Sequence, residues 1–384
     1  MVITGIFLPL NEGKYSLYYA KRIKSPIFAI YKGTKFLMLR KIISYIIPLL
    51  IGVGLFYFLW TNVDSEQLFN CLRYDVNYWW FVLIAFISIW SHIFRALRWR
   101  LQLRAIGIDA PLHALICSIF GTYAVNLIFP RLGEVWRCGY IAERQKASFT
   151  KVVGSMVADR LSDTLTVLTL TVFTFFLAQE AFYAFLDTYP EIKENLWNMI
   201  TSPSVWLCLT AAILLIVWLF RSHSSNKWIA KIRTMATNMW QGFIAITKME
   251  GKWQFLFYTI MIWGCYFVQL FLAKYAFTFT HDLSVTAMLV LFVLSSIGMG
   301  VPTNGGLGAY HVAIIFGLSL YGVGVFDTSN FDPQASAFAM LEWGIQTVLL
   351  VILGIYTAVY IAIDKHRIST GKTIVKTSGD KMKL

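Results

Sequence analysis

Long runs of predominantly apolar residues are the feature that most constrains how this chain can fold. Six runs approach or exceed the ~18 to 20 residues that a helix needs to cross about 30 Å of hydrocarbon. They cover residues 42–60, 78–99, 152–178, 204–220, 255–279 and 338–363. Because the runs are continuously apolar and do not alternate with polar residues, they predict membrane-spanning helices and not the strands of a β-barrel.

The composition supports a membrane protein and argues against other classes. Hydrophobic residues make up 58% of the 384 residues and charged residues only 14%, which is more apolar than a water-soluble domain can bury. The formal charge of +13 does not indicate nucleic-acid binding, since the basic residues flank the apolar runs. Five scattered cysteines without a CxxC spacing predict neither disulfides nor a metal site. We expect membrane lipids as partners, and no nucleic acid, metal or cofactor.

The placement of the charges predicts the orientation in the membrane. Lysine and arginine concentrate before residue 42, after the second span, at residues 137–151 and 221–252, and after residue 363. Segments near Asp64, Glu180 and Asp327 are acidic and poor in basic residues. Basic segments stay in the cytoplasm. The chain is therefore predicted to lie in the cytoplasmic (inner) membrane with both termini in the cytoplasm.

Two further apolar stretches do not fit this orientation as full spans. They are residues 112–129, which run into Pro130 and Gly133, and residues 286–300, which run into Pro302 and Gly305. Proline and glycine break a helix, here near mid-membrane. All of these assignments hold if residues 112–141 enter the membrane from the cytoplasm and return to it. Residues 286–323 must then enter from the outside and return to the outside. This predicts two re-entrant helical hairpins whose broken tips meet at one cavity, with two ordinary kinked spans as the alternative.

The predicted fold class is an all-α polytopic membrane protein with six full transmembrane helices and two re-entrant hairpins arranged as an inverted repeat. Counting the hairpins as spans gives eight to nine apolar segments. The predicted domains are an N-terminal tail 1–37, a membrane domain 38–363 with halves 38–179 and 204–363 and a cytoplasmic amphipathic segment 221–253, and a basic cytoplasmic tail 364–384. A short basic segment that begins at Met38 directly precedes the first span. The tail 1–37 is therefore predicted either to be disordered or to precede the true translation start.

Charged residues follow the break of the first hairpin. Arg131, Glu134 and Arg137 recur every three residues and so share roughly one helix face, and Asn126 precedes them. Arg131 and the N-terminal NH groups of that helix are predicted to attract an anionic head group such as a phosphate. Glu134 would orient an arginine or accept from an amine or sugar. The alternative is a salt bridge that closes the tip.

The third full span carries three more charges. Asp159, Arg160 and Asp163 are predicted to form an intramembrane network that binds Arg131 or Arg137. The alternative is a self-neutralised cluster near the cytoplasmic end of the span.

Two arginines and a tryptophan end the second span. Arg95 and Arg98 are expected to extend their guanidinium groups to lipid phosphates of the inner leaflet. Trp99 is expected in the aromatic belt at the membrane surface.

The second hairpin is rich in small residues at its break. Asn304, Gly305 and Gly306 follow Pro302, and such glycines let a head group approach backbone NH groups closely, with tight helix packing as the alternative. The ordinary pKa of a histidine lies near neutrality, so His311 is a further candidate, with a packed, hydrogen-bonded histidine as the alternative.

Glu342 lies in the last span, one turn before Gln346. A buried glutamate needs a partner, and His311, Arg131 and Arg160 are the available ones. We therefore include Glu342 among the predicted substrate-binding residues, and we predict no catalytic residue.

Four segments carry a resemblance to a known family. They are Arg95-x-x-Arg98-Trp99, Asn126-x-x-x-Pro130-Arg131-x-Gly133-Glu134-x-x-Arg137, Asp159-Arg160-x-x-Asp163 and Pro302-x-x-Gly305-Gly306-x-Gly308. With them the chain resembles the transmembrane, flippase-like domain of lysylphosphatidylglycerol synthases and its stand-alone relatives, over about residues 42–363.

The resemblance implies a lipid flippase or transporter for an anionic or aminoacylated phospholipid, or for a polyprenyl-phosphate-linked head group. The namesake synthases continue into a soluble aminoacyl-transferase domain, whereas a short basic tail follows residue 363 here. We therefore expect no enzymatic activity, and a separately encoded lipid-modifying enzyme is a candidate partner. The alternatives are a membrane-embedded transferase acting on a lipid-linked substrate and a non-catalytic partner of an envelope biosynthesis enzyme.

Overall fold

The computed structural model describes residues 49–188, 190–221, 251–327 and 329–370. In these ranges the only β-type pairing consists of two isolated bridges. The α-helices are α1 Leu49–Thr61, α2 Ser65–Tyr74, α3 Trp79–Ala105, α4 Leu112–Ile128, α5 Leu132–Arg144, α6 Phe149–Leu177, α7 Gln179–Thr188, α8 Pro190–Thr201, α9 Pro203–Arg221, α10 Lys252–Ala273, α11 Val285–Gly300, α12 Ala309–Ser319 and α13 Pro333–Ser369, with 3-10 turns at Lys274–Ala276, Thr278–Thr280 and Asn304–Gly306. The predicted all-α fold is confirmed for the described residues.

Four helical segments are long and apolar enough to cross a membrane. They are α3, α6, α13 and the segment Lys252–Ala276, which contains α10. These segments confirm four of the six predicted spans. The other two predictions, 42–60 and 204–220, coincide with α1, which is described from Leu49 onward, and with the 19-residue α9. Length and composition of these helices indicate a multi-pass membrane protein.

The predicted span 255–279 is wrong at its C-terminal end. The continuous helix stops at Ala273, and two 3-10 turns follow. The buried Lys274 amine donates to the Leu283 carbonyl at 2.7 Å, and the Thr280 hydroxyl donates to the Lys274 carbonyl at 2.8 Å. These side-chain bonds to backbone carbonyls turn the chain back before α11 begins, which a count of apolar residues does not detect.

Short helices occupy segments that were predicted only as acidic connections. Asp64 caps α2, since its carboxylate accepts from the Glu66 and Gln67 NH groups at 3.0 and 3.1 Å. The helices α7 and α8 lie between α6 and α9. At the other end of the chain, α13 continues to Ser369, past the predicted boundary of the tail. The predictions for residues 1–37, for the amphipathic segment at 222–250 and for residues 371–384 lie outside the described residues.

Two pairs of helices fold back on themselves as helical hairpins. We call α4 with α5 the first hairpin and α11 with α12 the second hairpin. In the first, Gly133 packs directly on the Thr122 carbonyl, so that a Cβ at Gly133 would overlap it. In the second, a Cβ at Gly298 would lie 2.9 Å from the Ala309 carbonyl oxygen. Glycine permits this close approach of antiparallel helices, as is common within membranes.

The two hairpins contact different parts of the long helix α13. The Thr357 hydroxyl donates to the Cys117 carbonyl of the first hairpin at 3.1 Å, in the C-terminal half of α13. In the N-terminal half, the Trp343 indole donates to the Gly305 carbonyl beside the second hairpin at 2.7 Å. The hairpins therefore lie against opposite halves of α13.

Candidate functional site

A buried polar face of α3 forms one wall of the candidate site. Ser88, His92, Arg95, Arg98 and Gln102 recur at intervals of three or four residues, which places them on one face of the helix. All five side chains are buried. This face packs against α4, α6 and α10. Buried ionisable groups in such a helix mark a functional site by default because their burial is costly.

Two of these arginines join charged residues of α5 and α6. We call the side chains of Arg95, Arg98, Arg137, Asp159, Arg160 and Asp163 the arginine cluster. Arg98 Nε and Nη2 donate to Asp159 Oδ1 at 3.0 and 2.7 Å. Arg98 Nη2 also donates to Asp163 Oδ1 at 2.7 Å, and Arg95 Nη1 donates to Asp163 Oδ2 at 2.6 Å. Charge-assisted hydrogen bonds from α3 thus hold both aspartates of α6.

Neutral partners from α4 and α10 complete the surroundings of the α3 arginines. Arg95 Nε and Nη2 donate to the Tyr266 hydroxyl at 3.3 and 3.2 Å, and this hydroxyl lies 3.5 Å from that of Tyr123. Arg98 Nη1 donates to the Thr259 hydroxyl at 3.3 Å. The guanidinium groups of Arg95 and Arg98 are therefore well supplied with acceptors.

Arg137 and Arg160 are much less completely paired. Arg137 is fully buried over the Trp99 ring, 4.4 Å from Cζ to the ring centroid, and its only ion pair within the described ranges is a 3.4 Å contact of Nη2 with Asp159 Oδ2. Its Nε and Nη1 have no hydrogen-bond partner among the described residues. Arg160 lies 3.8 Å from the carboxylates of Asp159 and Asp163, and its Nε also lacks a partner in the described part of the chain.

The arginine cluster carries more positive than negative charge. Four arginines face two aspartates, which leaves an excess of two positive charges, with Arg137 fully buried and the Arg160 side chain 34% exposed. Uncompensated buried charge is costly. An anion placed beside Arg137 and Arg160 would supply both the missing charge and the missing hydrogen-bond acceptors. Within the described residues, no group of three or more His, Cys, Asp or Glu side chains is placed to hold a metal ion.

Two expectations for the end of the second span are wrong. Arg95 and Arg98 do not reach toward a membrane surface but are buried in the arginine cluster, because the paired aspartates of α6 lie inside the bundle. Trp99 is fully buried and not part of a surface belt, since its indole donates to the Ser155 hydroxyl at 3.1 Å.

The structure separates the charged residues of the first hairpin that were predicted to share a face. Arg131 lies in a left-handed conformation before α5 and is exposed, whereas Arg137 is fully buried. Arg131 Nη2 donates to the Gly300 carbonyl at the end of α11, at 2.5 Å. Arg131 therefore connects the two hairpin tips and does not join the network of Asp159 and Asp163.

The start of α5 is occupied by a side chain of its own hairpin. Asn126 Oδ1 accepts from the Gly133 NH at 2.8 Å, and Asn126 Nδ2 donates to both carboxylate oxygens of Glu134 at 3.3 Å. Asn126 thus caps α5 across the hairpin, and Glu134 pairs with an amide and not with an arginine.

The tip of the second hairpin packs against the first. Asn304 Nδ2 donates to the carbonyls of Leu127 and Ile128 at 3.1 and 2.9 Å. Gly305 and Gly306 have positive φ angles of 59° and 80°, and Gly306 packs against the Met299 sulfur. Contact between the two tips, which the sequence predicts, is present, and these glycines serve close packing there.

Glu342 has a different partner from those expected, and His311 has no hydrogen-bond partner among the described residues. The Tyr310 hydroxyl donates a short hydrogen bond to Glu342 Oε2. Neither His311 nor the arginines Arg131 and Arg160 pairs with Glu342, so the prediction of a charged partner is wrong. His311 is fully buried among aromatic rings, and both of its ring nitrogens lack a hydrogen-bond partner among the described residues.

Comparison with known proteins adds to this geometry. A family model described as the lysylphosphatidylglycerol synthase TM region matches residues 45–354. The chain belongs to this lysylphosphatidylglycerol synthase TM family. The resemblance predicted from the four sequence segments is therefore confirmed. No curated protein and no solved structure matches the chain.

In this member of the lysylphosphatidylglycerol synthase TM family, sequence reasoning missed several polar residues of the site. No sequence pattern distinguishes Tyr123, Thr259 and Tyr266 from other polar residues within a span. The buried role of α3 did have a signal, because polar residues recur there every three or four positions from Ser88 to Gln102.

Proposed function

We propose that this protein is a lipid flippase or transporter that binds an anionic head group at the arginine cluster. The observation that carries the proposal is the excess positive charge of the arginine cluster, in which Arg137 Nε and Nη1 are buried and have no partner among the residues that the structure describes. Membership of the lysylphosphatidylglycerol synthase TM family supports a role with lipids. The substrates that we propose are an anionic or aminoacylated phospholipid, or a polyprenyl-phosphate-linked head group.

Arginine suits this task because its planar group offers several donors in fixed directions. A phosphate oxygen can accept from two guanidinium nitrogens at once, and Arg137 has two such nitrogens free in the described part of the chain. Asp159 and Asp163 would hold the arginines in place by their short bonds to α3. Because both carboxylates are engaged by arginines, we propose binding and transport and not catalysis for this cluster.

The proposed membrane arrangement keeps the two hairpins as re-entrant elements of an inverted repeat. Their packing against opposite halves of α13 and the contact between their tips support entry from opposite sides of the bilayer. In this arrangement the basic termini lie in the cytoplasm. A separately encoded lipid-modifying enzyme remains our proposed partner.

Native mass spectrometry of lipids retained by the purified protein tests the proposal. We expect the wild type to retain an anionic lipid, and Arg137→Gln and Arg160→Gln to retain roughly tenfold less, since each loses a charge-assisted bond to the head group. Arg104→Gln is the matched control, because Arg104 is exposed at the end of α3 and pairs with Asp109. Equal lipid profiles in the wild type and in both cluster variants would contradict binding at the arginine cluster.

Leaflet exchange separates transport from the rival functions. Wild-type protein in vesicles is expected to accelerate exchange of acyl-labelled phosphatidylglycerol or lysylphosphatidylglycerol between leaflets, and the Arg137→Gln variant to do so more slowly. Product turnover without exchange would indicate a membrane-embedded transferase. Co-purification with a biosynthetic enzyme whose activity is unchanged in Arg137→Gln protein, again without exchange, would indicate a non-catalytic partner.

A further inference from the structure

A second set of polar side chains continues from the arginine cluster along the bundle. We call Ser88, His92, Gln269, Gln346, Glu342 and Tyr310 the polar file. They come from α3, α10, α13 and α12, and each is buried or half-buried. Polar side chains that meet inside an apolar bundle either fix helix packing or line a path for a polar solute.

Hydrogen bonds join three members of the polar file, Ser88, Gln346 and Gln269, across three helices. The Ser88 hydroxyl donates to Gln346 Oε1 at 3.0 Å, and Gln346 Nε2 donates to Gln269 Oε1 at 2.8 Å. Gln269 Nε2 donates to the Cys265 carbonyl of its own helix at 3.0 Å. The centre of the polar file is therefore a pair of neutral amides with a hydroxyl beside it.

One end of the polar file adjoins the arginine cluster. Gln269 lies three residues after Tyr266 on one face of α10, about 4.5 Å further along the helix axis, and Tyr266 binds Arg95. On α3, His92 lies between Ser88 and Arg95 on the polar face. The His92 Nδ1 atom has no hydrogen-bond partner among the described residues.

The other end of the polar file is the Glu342–Tyr310 pair. Glu342 lies one turn before Gln346, about 6 Å along α13. Phe277 contacts both Phe81 and Phe338, and Ser88 contacts Gln346, so α3 and α13 run parallel here.

The distance between the arginine cluster and the far end of the polar file follows from these positions. Arg98 lies ten residues beyond Ser88 on α3, and Glu342 lies four residues before Gln346 on α13, in the opposite direction. At 1.5 Å per residue Arg98 of the arginine cluster and Glu342 are about 20 Å apart along the bundle. This distance is two thirds of the ~30 Å hydrocarbon thickness.

We infer that the polar file is the route along which the head group moves between the arginine cluster and the end of the bundle at Glu342. This inference rests on the proposed function. An amide offers a donor and an acceptor without charge, so it binds an anion less tightly than arginine does and releases it more easily. Such a gradation suits conduction, which needs binding that is favourable at entry and weak enough for release.

Histidine nitrogens without a hydrogen-bond partner among the described residues favour a transport path over a network that only packs helices together. A network that serves only to hold helices together satisfies its own members, as most buried polar groups do. Here His92 Nδ1, on the polar file, and both ring nitrogens of His311, beside Tyr310, lack partners in the described part of the chain. These atoms are free to bind a passing head group.

The test compares exchange with binding in the same proteins. The variants are Gln346→Leu, Gln269→Leu and Ser88→Ala. Each is reconstituted in vesicles, and exchange of acyl-labelled phosphatidylglycerol and, separately, of lysylphosphatidylglycerol is measured. Native mass spectrometry measures the lipids that each variant retains. The controls are Gln254→Leu, at an exposed position of α10, and Ser118→Ala, whose buried hydroxyl donates only to the Leu115 carbonyl of its own helix.

We expect the amide variants to exchange lipid roughly tenfold more slowly than the wild type, corresponding to the loss of one buried hydrogen bond in transit, with lipid retention within about twofold. Ser88→Ala, which removes least volume, keeps the test valid if an amide variant does not fold, and we expect it to slow exchange in the same direction. Exchange at the wild-type rate in the folded variants would overturn the inference while leaving the proposed function intact. Absence of exchange of both probes by the wild type would overturn the proposed function itself.

Discussion

The arginine cluster and the region around Glu342 handle buried carboxylates in opposite ways. Asp159 and Asp163 are surrounded by guanidinium groups, with two contacts of 2.7 Å to Arg98 alone. Glu342 receives a hydrogen bond from the neutral Tyr310 hydroxyl. Both regions lie beside a helical hairpin, so similar backbone arrangements carry different chemistry. The first region holds an excess of positive charge, and the second offers neutral donors and one carboxyl group.

Because of this difference, affinity for an anionic head group would decrease along the proposed path from the arginine cluster to Glu342. An anionic head group would bind most tightly at the arginine cluster, because attraction between unlike charges is strong where water is excluded. Toward Glu342 it would meet amides, a phenol and an imidazole, which bind it less tightly. A head group that follows the proposed path would thus meet two regions of different affinity, and variants that equalise the two regions test this proposal.

The largest effect is expected from removing the central arginine of the cluster. Arg98→Ala removes the closest partner of Asp159 and one of the two close partners of Asp163, and breaking such a buried pair costs about 3–5 kcal/mol. We expect poor folding or a strongly lowered melting temperature in detergent. Arg104→Ala, at an exposed ion pair on the same helix, should cost about 0–1 kcal/mol. Similar melting temperatures for both variants would contradict the role of the arginine cluster in holding the bundle.

The close contact within the first hairpin provides the next test. A methyl group at position 133 would overlap the Thr122 carbonyl, so Gly133→Ala forces α4 and α5 apart at a cost of about 1–3 kcal/mol. The matched control is Gly139→Ala in the same helix, where a Cβ meets nothing within 4 Å. That control should be neutral or stabilising by up to about 1 kcal/mol. Thermal melting of both variants in detergent measures the difference, and a stable Gly133→Ala protein would argue against this hairpin packing.

Replacing a carboxylate by an amide compares the two regions directly. Asp159→Asn removes a negative charge from a cluster that already has too few, so we expect a lower melting temperature. Glu342→Gln keeps an acceptor for the Tyr310 hydroxyl and should cost less than about 1 kcal/mol. If Glu342→Gln proved the more damaging of the two, Glu342 would have to be paired with a charge in the native protein.

The smallest effect is expected at the exposed hairpin tip. Arg131→Gly removes the bond to the Gly300 carbonyl but suits the positive φ of 61° at this position, so the two effects offset each other within about 1 kcal/mol. We expect lipid retention to fall less than in Arg137→Gln protein. A larger loss of bound lipid at Arg131 than at Arg137, measured by native mass spectrometry, would move the anion site from the arginine cluster to the tip.

Much of the fold could be predicted from the sequence because it depends on local composition. The apolar runs gave four spans that the described helices match, and the proline and glycine residues marked the breaks in both hairpins. The end of α10 could not be predicted this way, since it depends on the bond between the Lys274 amine and the Leu283 carbonyl. That bond joins parts of the chain whose approach no local pattern encodes.

The candidate site was predicted less completely than the fold. Asp159 and Asp163 were identified as charges inside a span and Arg137 as a charge of the first hairpin, and the structure places Arg137 Nη2 3.4 Å from Asp159 Oδ2. Arg98 was misplaced because an arginine near the end of a span can reach either the membrane surface or a buried carboxylate. Only the facing residues of a neighbouring helix decide between the two.

By itself, the sequence determined that this chain is a helical membrane protein of the lysylphosphatidylglycerol synthase TM family with charges inside its spans, because hydropathy and residue spacing are local properties. Only the tertiary structure decided which arginines gather around Asp159 and Asp163 and which two of them, Arg137 and Arg160, are incompletely paired among the described residues. Pairing of buried charges depends on distances of a few ångströms between helices that are far apart in the sequence, and such distances are fixed by packing alone.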